Sequence, residues 1–312
     1  MVDQQRQISV SVLMTARDVS EFIAESLQSI LRQTHQDFEF LVVDDQSTDQ
    51  TADVIRRIAA EDDRVVLLCS SKQGRIPALN TALAAARGQY VAIMDADDLA
   101  DPSRLALQKA YLDEHPNVVA VGSALTYIGP DETAPISLSG RKVTIKPEQP
   151  RTMLGGWNAR PLAIVHSTAM MRREAVIAAG GYRPALIHQE DTDLFLRLEE
   201  MGEVRNLPQI LHYYRQHSAN TGRRHLVAQC AAWRLALALA ERRRSGQTDP
   251  AFFHGRAAVW THLALRAPGA ALRLALWVTV EVMRRMRKRR RLFQMLNRCS
   301  RVEAELAREG LA

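Results

Sequence analysis

The first third of the chain alternates between short apolar runs and amphipathic segments. Residues 8–14 (ISVSVLM) alternate in part and are rich in β-branched types, which predicts a strand. Ser20 stands at an expected helix N-cap, and Phe22, Ile23, Leu27, Ile30 and Leu31 recur at helical spacing behind it. Phe38 to Val43 is dense enough in apolar residues for a strand buried on both faces. The turn-forming run Asp44 to Asp49 follows, then a helix with Val54, Ile55 and Ile58 on one side. Val65 to Cys69 predicts a third strand, and Pro77 opens a helix through Ala86 with Gly88 as its C-cap. Tyr90 to Met94 is a fourth strand, ending in Asp95-Ala96-Asp97-Asp98. Strands and helices in strict alternation predict an α/β fold with a mostly parallel sheet flanked by helices and joined by right-handed crossovers.

Beyond residue 100 the pattern loosens. A helix is expected over Pro102 to His115 and a strand over Val118 to Ile128. Gly129 to Pro150 is a polar excursion, and Leu194, Phe195 and Leu198 mark a helix from Glu190 to near Gly202. Almost everything after Thr221 reads as helical: Leu226 to Arg244, about Pro250 to Arg266 and about Pro268 to Arg308. A domain at 1–220 with a helical extension at 221–312 is the expected organisation.

Charge sharpens that division. Residues 1–220 hold 22 basic and 29 acidic residues, net −7, whereas 221–312 hold 19 and 6, net +13. The two parts are expected to face different partners. Arg284 to Arg291 (RRMRKRRR) follows a moderately apolar stretch too short and too charged for a membrane span. Its expected partner is an anionic membrane surface; a solvated helical appendage, one that could serve a homo-oligomer, is the plain alternative. Nucleic acid is disfavoured because no aromatic platform is interleaved with the basic run. The three cysteines, Cys69, Cys230 and Cys299, have neither metal-ligand nor disulfide spacing, and no signal peptide is visible. A cytoplasmic protein, peripheral on the cytosolic membrane face, is expected.

Chemistry concentrates in carboxylates beyond the carboxyl ends of the strands, where such sheets bind ligands. Asp95 and Asp97, two apart in a tight turn, suit a hard divalent ion that completes its shell with phosphate and water, although an acidic turn capping a helix reads the same way. One of Asp44 and Asp45 is a candidate ligand contact, while the other, Ser47 or Asp49 caps the next helix. Arg75 is either a contact to an anionic ligand or a solvated surface residue. Glu190 and Asp191 open an amphipathic helix, Asp193 and Arg197 can form an i,i+4 pair, and His217 is either a ligand or a satisfied polar residue. Trp157, beside Gly155-Gly156, either stacks on a sugar or anchors its loop.

Taken together, the segments Val10 to Ala16, Ser29 to Thr34, Val42 to Thr51, Ala78-Leu79-Asn80, Gly88 to Asp98, Gly180 to Arg183, Glu190 to Leu194 and Tyr214 to His217 resemble the inverting family 2 glycosyltransferases of the A-type (GT-A) fold. The order and spacing agree over roughly residues 8–220. The resemblance implies that Thr15 and Ala16, with Asp44 or Asp45, line the nucleotide, that Arg75 reaches the base, and that Asp95 lies against ribose or metal. It implies Mg²⁺ or Mn²⁺ on Asp97, a nucleotide-diphospho-sugar donor, a glycan or lipid-linked acceptor, and Asp191 as general base supported by Glu190. Surface glycan or glycolipid synthesis is the expected setting. Two positions depart from the pattern: Gln46 replaces a usual Gly, and Met14 stands where Pro is common. A nucleotidyltransferase would need a Gly-rich, Arg-containing loop where this chain has Thr15-Ala16-Arg17-Asp18, and a purely binding protein has no use for both Asp97 and Asp191.

Overall fold

The computed structural model describes residues 8–129, 164–217 and 226–249. Eight strands form one sheet in the order β3-β2-β1-β4-β7-β6-β8-β5. Its first half is the parallel α/β unit: β1 (Val10–Ala16), β2 (Phe38–Asp44), β3 (Val65–Cys69) and β4 (Tyr90–Asp95), connected by α1 (Ile23–Leu31), α2 (Thr51–Glu61) and α3 (Arg75–Ala85). Beyond β4 the sheet becomes mixed. The short β7 (Met170–Arg172) runs antiparallel to both β4 and β6 (Val118–Ile128), and β5 (Leu99–Ala100) is antiparallel to β8 (Glu203–Arg215). β6 and β8 run parallel, with register shifts between Val118 and Ala120 and between Ser123 and Leu125.

The strand alternation fixes two apolar layers. Val10, Val12, Met14, Phe38, Phe40, Val42, Tyr90, Ala92 and Met94 share one core with Ile23, Leu27 and Ile30 of α1, Val54 and Ile55 of α2, and Leu105 and Leu112 of α4 (Arg104–Glu114). On the opposite face, α3 packs on β1 and β2 with Ile76, Leu79 and Leu83 buried. Two of the polar residues that break the alternation, Ser11 and Glu39, are paired with each other. Ser11 Oγ donates to Glu39 Oε1 at 2.6 Å, and Glu39 in turn accepts the Arg87 backbone N–H at 2.7 Å and its Nε at 2.8 Å. These bonds hold the α3–β4 connection against the amino ends of β1 and β2.

Several boundaries differ from expectation, among them the start of α3, at Arg75 rather than Pro77, and three have clear physical reasons. β1 begins at Val10 and continues through Ala16, because β2 pairs with it to its end and β4 as far as Thr15. Ser20 does not cap α1, which starts at Ile23; its N–H donates instead to Asp49 Oδ2 at 3.0 Å. Gly88 is not the C-cap of α3, a role held by extended Ala86. Gly88 is needed for close approach, since a Cβ there would lie 2.6 Å from Ser11 N.

The described residues of 8–184 and 190–217 form one compact unit, which also contains α5 (Arg173–Ala178) and α6 (Glu190–Leu198); residues 185–189 and 226–249 belong to a second. In the second, α7 (Leu226–Arg244) matches the expected helix and ends in a Schellman motif. Gly246, at φ +76°, donates to Arg243 O, and Gln247 donates to Arg242 O. The Gly129 to Pro150 excursion from residue 130 onward, Trp157, and the two expected helices after Pro250 lie outside the described residues.

Gly88→Ala is expected to destabilise the fold by about 1–3 kcal/mol, because the new methyl meets backbone that cannot rotate away. Urea unfolding with an unchanged m-value and a lower midpoint is the predicted reading; an unchanged midpoint would refute the close-approach role.

Candidate active site

The register of the parallel half sets Ala16 opposite Asp44, Asp44 opposite Cys69, and Thr15 opposite Asp95. The predicted Thr15, Ala16, Asp44 and Asp95 therefore stand in one row at the carboxyl edge. Asp45 completes it: its N–H donates to Ala16 O at 2.8 Å, and its Oδ1 accepts the Gly74 N–H at 2.7 Å. Asp44 accepts from Ser47 N–H at 3.4 Å, a long bond; the N-cap of α2 is Gln50, which makes no side-chain cap bond, and Asp49 just before it takes the Thr51 N–H on Oδ1 at 2.9 Å. Burial opposes ionisation of Asp49, but the bonds from Thr51 and Ser20 outweigh it and lower its pKa to about 2. Between these residues Gln46 sits at φ +59°, a left-handed conformation that explains why Gly is usual at that position.

Arg75, the first residue of α3, follows Gly74 at φ +122°. Its Nη2 donates to Asp95 Oδ1 at 2.7 Å and lies 3.3 Å from His166 Nδ1, while its Nε is 3.3 Å from Glu190 Oε1. Arg75 thus joins the end of β4 to the start of α6. The attraction of Asp95, then of Glu190, raises the Arg75 pKa, so the guanidinium is always charged. Burial pushes the Asp95 carboxyl up, but Arg75 more than reverses this and leaves it below its ordinary value. Burial and the neighbouring Arg75 lower His166 to about 3, so its ring is neutral. His166 Nδ1 faces the Arg75 donor, which assigns the proton to Nε2, 2.8 Å from the Tyr182 hydroxyl. Asn80 holds Tyr182 by two backbone bonds, at 2.8 and 3.0 Å.

Asp97 and Asp98 follow on the same turn. Asp97 Oδ2 lies 2.9 Å from His217 Nε2. Burial and then the Asp95 charge raise the Asp97 pKa, against the His217 hydrogen bond. Asp98 is buried and turned away from solvent: its Oδ2 is 2.7 Å from His212 Nε2 and its Oδ1 accepts the Arg215 N–H at 2.9 Å.

The remaining carboxylates open α6. Asp191 accepts the Thr192 N–H at 2.7 Å. Burial, then repulsion from Glu190, raises its pKa to about 7, while Thr192 and Arg75 pull the other way. Asp193, fully buried, pairs with Arg197 at 2.7 Å as its spacing predicts and also with Arg183. It is a structural ion pair, whereas Asp191 is only part-buried, unlike Asp193, and carries the raised pKa.

Comparison with known proteins agrees with this geometry. The sequence profile of Glycosyl transferase family 2 matches residues 11–180. The chain belongs to that family. EpsE of Bacillus subtilis (strain 168), named as a glycosyltransferase, is 34% identical over 214 residues, covering 67% of this chain and 73% of EpsE. Chondroitin synthase of Pasteurella multocida (strain Pm70) is 26% identical over 220 residues, 70% of this chain but 22% of the synthase. Among solved structures, S. aureus TarS 1–349 in complex with UDP-GlcNAc superposes with a TM-score of 0.57 at 20% identity, over 73% of this chain and 66% of TarS. The mannosyltransferase PcManGT of Pyrobaculum calidifontis, in complex with GDP-Man and Mn²⁺, gives 0.56 at 22% identity, over 96% and 81%. At such identities the superpositions establish the fold, which is that of the GT-A transferases.

In this family 2 site the motif residues were legible and their partners were not. His166 and His212 carry no local signal beyond being polar residues in apolar surroundings, Ile164-Val165 before His166 and Leu211 before His212, and Arg104 carries none; Tyr182 and Asp98 lie in matched segments but receive no role from them. That isolation is the one sign that could have marked the two histidines.

A raised Asp191 pKa has a thermodynamic consequence. The folded state binds this proton more tightly than the unfolded chain, whose carboxylate titrates near 4, so stability falls as pH rises from about 4 to about 7 and the penalty stays complete above that. Asp191→Asn is expected to raise Tm by about 3 °C or more near pH 8 and by little near pH 4. Equal Tm differences at both pH values in scanning calorimetry would contradict the burial of the charge.

Proposed function

We propose that the chain is an inverting, metal-dependent transferase that moves a sugar from a nucleotide-diphospho-sugar to an acceptor hydroxyl. The observation that carries the reading is the Arg75 link, at 2.7 Å to Asp95 and 3.3 Å to Glu190, between the carboxylates of the strand edge and those that open α6. A donor held at the strand edge lies beside the residue able to take a proton from the acceptor.

Thr15, Ala16, Asp44 and Asp45 line the base and ribose, with Asp45 fixed through Gly74 to the start of α3. Asp95 orients the ribose side of the donor with Arg75 beside it, and Arg75 reaches towards the base. Asp97, with His217 2.9 Å away, would hold Mg²⁺ or Mn²⁺, and Asp95, two residues before, would add its charge. Among the described residues no group of three or more His, Cys, Asp or Glu side chains converges on one point. A pair of protein donors fits an ion that takes its other ligands from diphosphate and water. When bound, such an ion neutralises the leaving diphosphate. Asp191 removes the acceptor proton as the hydroxyl attacks the anomeric carbon, and Glu190 raises the affinity of Asp191 for that proton by its charge. Complexes of TarS with UDP-GlcNAc and of PcManGT with GDP-Man and Mn²⁺ support both the donor class and the ion.

Asp191→Asn is expected to keep donor binding and lose roughly 100-fold or more in turnover. The turnover of the parent should rise with pH through about 7, as the base loses its proton. Asp97→Asn should weaken nucleoside-diphosphate binding in Mn²⁺ or Mg²⁺ and leave folding intact. Parent-like transfer by Asp191→Asn, or equal nucleotide affinity of the parent with and without chelator, would overturn the respective assignment.

The same reading makes 1–220 the catalytic part and gives 221–312, at net +13, the task of holding it to an anionic membrane where lipid-linked acceptors reside. No helix among the described residues is long and apolar enough to cross a membrane. Changing Arg287, Lys288, Arg289, Arg290 and Arg291 to Gln should release the protein from anionic vesicles in co-sedimentation. Equal binding to neutral and anionic vesicles would exclude an electrostatic anchor.

A further inference from the structure

Asp98 sits one residue beyond the proposed metal ligand, yet it is only 1% exposed, and both of its oxygens are engaged by β8. Its place is set from three sides. The Asp98 carbonyl accepts Ser26 Oγ of α1 at 2.7 Å, and the next two residues, Leu99 and Ala100, pair as β5 with Tyr213 and His212. The carboxylate accepts Arg215 N–H at 2.9 Å and His212 Nε2–H at 2.7 Å. Arg104 assigns that tautomer: its Nη1 lies 3.4 Å from His212 Nδ1, which must therefore present a lone pair. Arg104 is held in turn by Ile93 O at 2.7 Å.

From this anchorage β8 runs on by two residues to His217. Arg215 Nε donates to Asp97 O at 2.9 Å, and its Nη2 pairs with Glu25 at 2.8 Å. The Phe22 ring packs with both the Arg215 guanidinium, 5.2 Å from its centroid, and the His217 ring, 4.7 Å from it. Gln216 N–H is fixed to Ile128 O at 2.9 Å. The end of β8 is thereby tied to both the backbone and the neighbouring side chain of Asp97, and the result is the 2.9 Å approach of His217 Nε2 to Asp97 Oδ2.

We propose that Asp98 is a positioning residue for the cation site: by clasping His212 and the Arg215 backbone of β8, it sets the separation between Asp97 and His217. This inference rests on the reading of Asp97 as a metal ligand. An acid at this position, rather than an amide, follows from the donors that face it. His212 and Arg215 each present one N–H, so the side chain introduced by Asp98→Asn would turn its own NH₂ onto one of them and lose that bond. Residues that orient ligands from behind in this way are worth about 10–100-fold in metal affinity.

The test is Mn²⁺ affinity, read from loss of the free-ion electron paramagnetic resonance signal in the presence of UDP, with GDP in a parallel series. It is made on the full chain for the parent, Asp98→Asn, His217→Ala and the double variant, with His212→Phe as a milder disruption of the same clasp. Asp98→Asn is expected to weaken Mn²⁺ about tenfold or more, while nucleotide affinity in chelator stays at the parent value. In the His217→Ala background the same change is expected to add little, because the ligand it positions is gone. His212→Phe should weaken Mn²⁺ in the same direction, and it carries the test alone if Asp98→Asn does not fold. Parent affinity in the folded clasp variants, or a loss that adds in full to that of His217→Ala, overturns the inference for Asp98 alone. A parent that binds nucleotide equally well with Mn²⁺ and with chelator overturns the metal reading beneath it.

Discussion

Five carboxylates, Asp95, Asp97, Asp98, Glu190 and Asp191, stand at the carboxyl edge of one sheet, and their mutual repulsion is the constraint to which the surrounding structure answers. Arg75 is the main counterweight. It is bonded to Asp95 and paired with Glu190, and it draws Asp191 downward against a burial that pushes it up. Arg215 and Arg104 serve the inner part of the cluster, and the ring nitrogen of His217 meets Asp97. A fixed cation can hold only some of these charges. In the proposed function the divalent ion falls to Asp97 and the acceptor proton to Asp191, both of them carboxyls whose affinity for a proton is raised, beside Asp95 and Glu190 respectively.

The sheet builds this arrangement by changing its character at β4. Four parallel strands place Thr15, Ala16, Asp44 and Asp95 side by side, as strand ends in such sheets do. The antiparallel pairing of β7 with β4 and of β5 with β8 then brings the later segments, with His166 and His212, back against the same edge. A purely parallel continuation would have needed another crossover helix at each step and left the acidic turn uncovered.

How far the sequence revealed this depended on the range of each interaction. The α/β repeat, the Asp193–Arg197 pair and the acidic strand ends are local, and spacing alone made them legible. The short strands were not: β5 has two residues and β7 three, below any periodicity. Arg75 was left open between ligand contact and surface residue because Asp95 and Glu190 lie 20 and 115 positions away. Asp98 passed as one more acid of a turn, since its partners lie beyond residue 210. Ser20 and Gly88 carried correct residue-type signals with the wrong assignments. Serine near a helix start usually caps it, and glycine after a helix usually ends it, but here a loop bond and a backbone approach too close for any Cβ decided. Gln46 was recognised as a departure from the family pattern; only its φ of +59° gave the departure a physical meaning.

The central claim is that a single base beside the donor carries the chemistry, with no residue acting as a covalent nucleophile. An in-line attack by the acceptor hydroxyl then inverts the anomeric centre, whichever sugar the donor carries. The direct measurement is proton NMR of the glycoside formed by the purified protein, from whichever nucleotide sugar in a panel it uses, read at the first appearance of product. An α-linked donor is predicted to give only the β-anomer; an α-linked product would contradict the account.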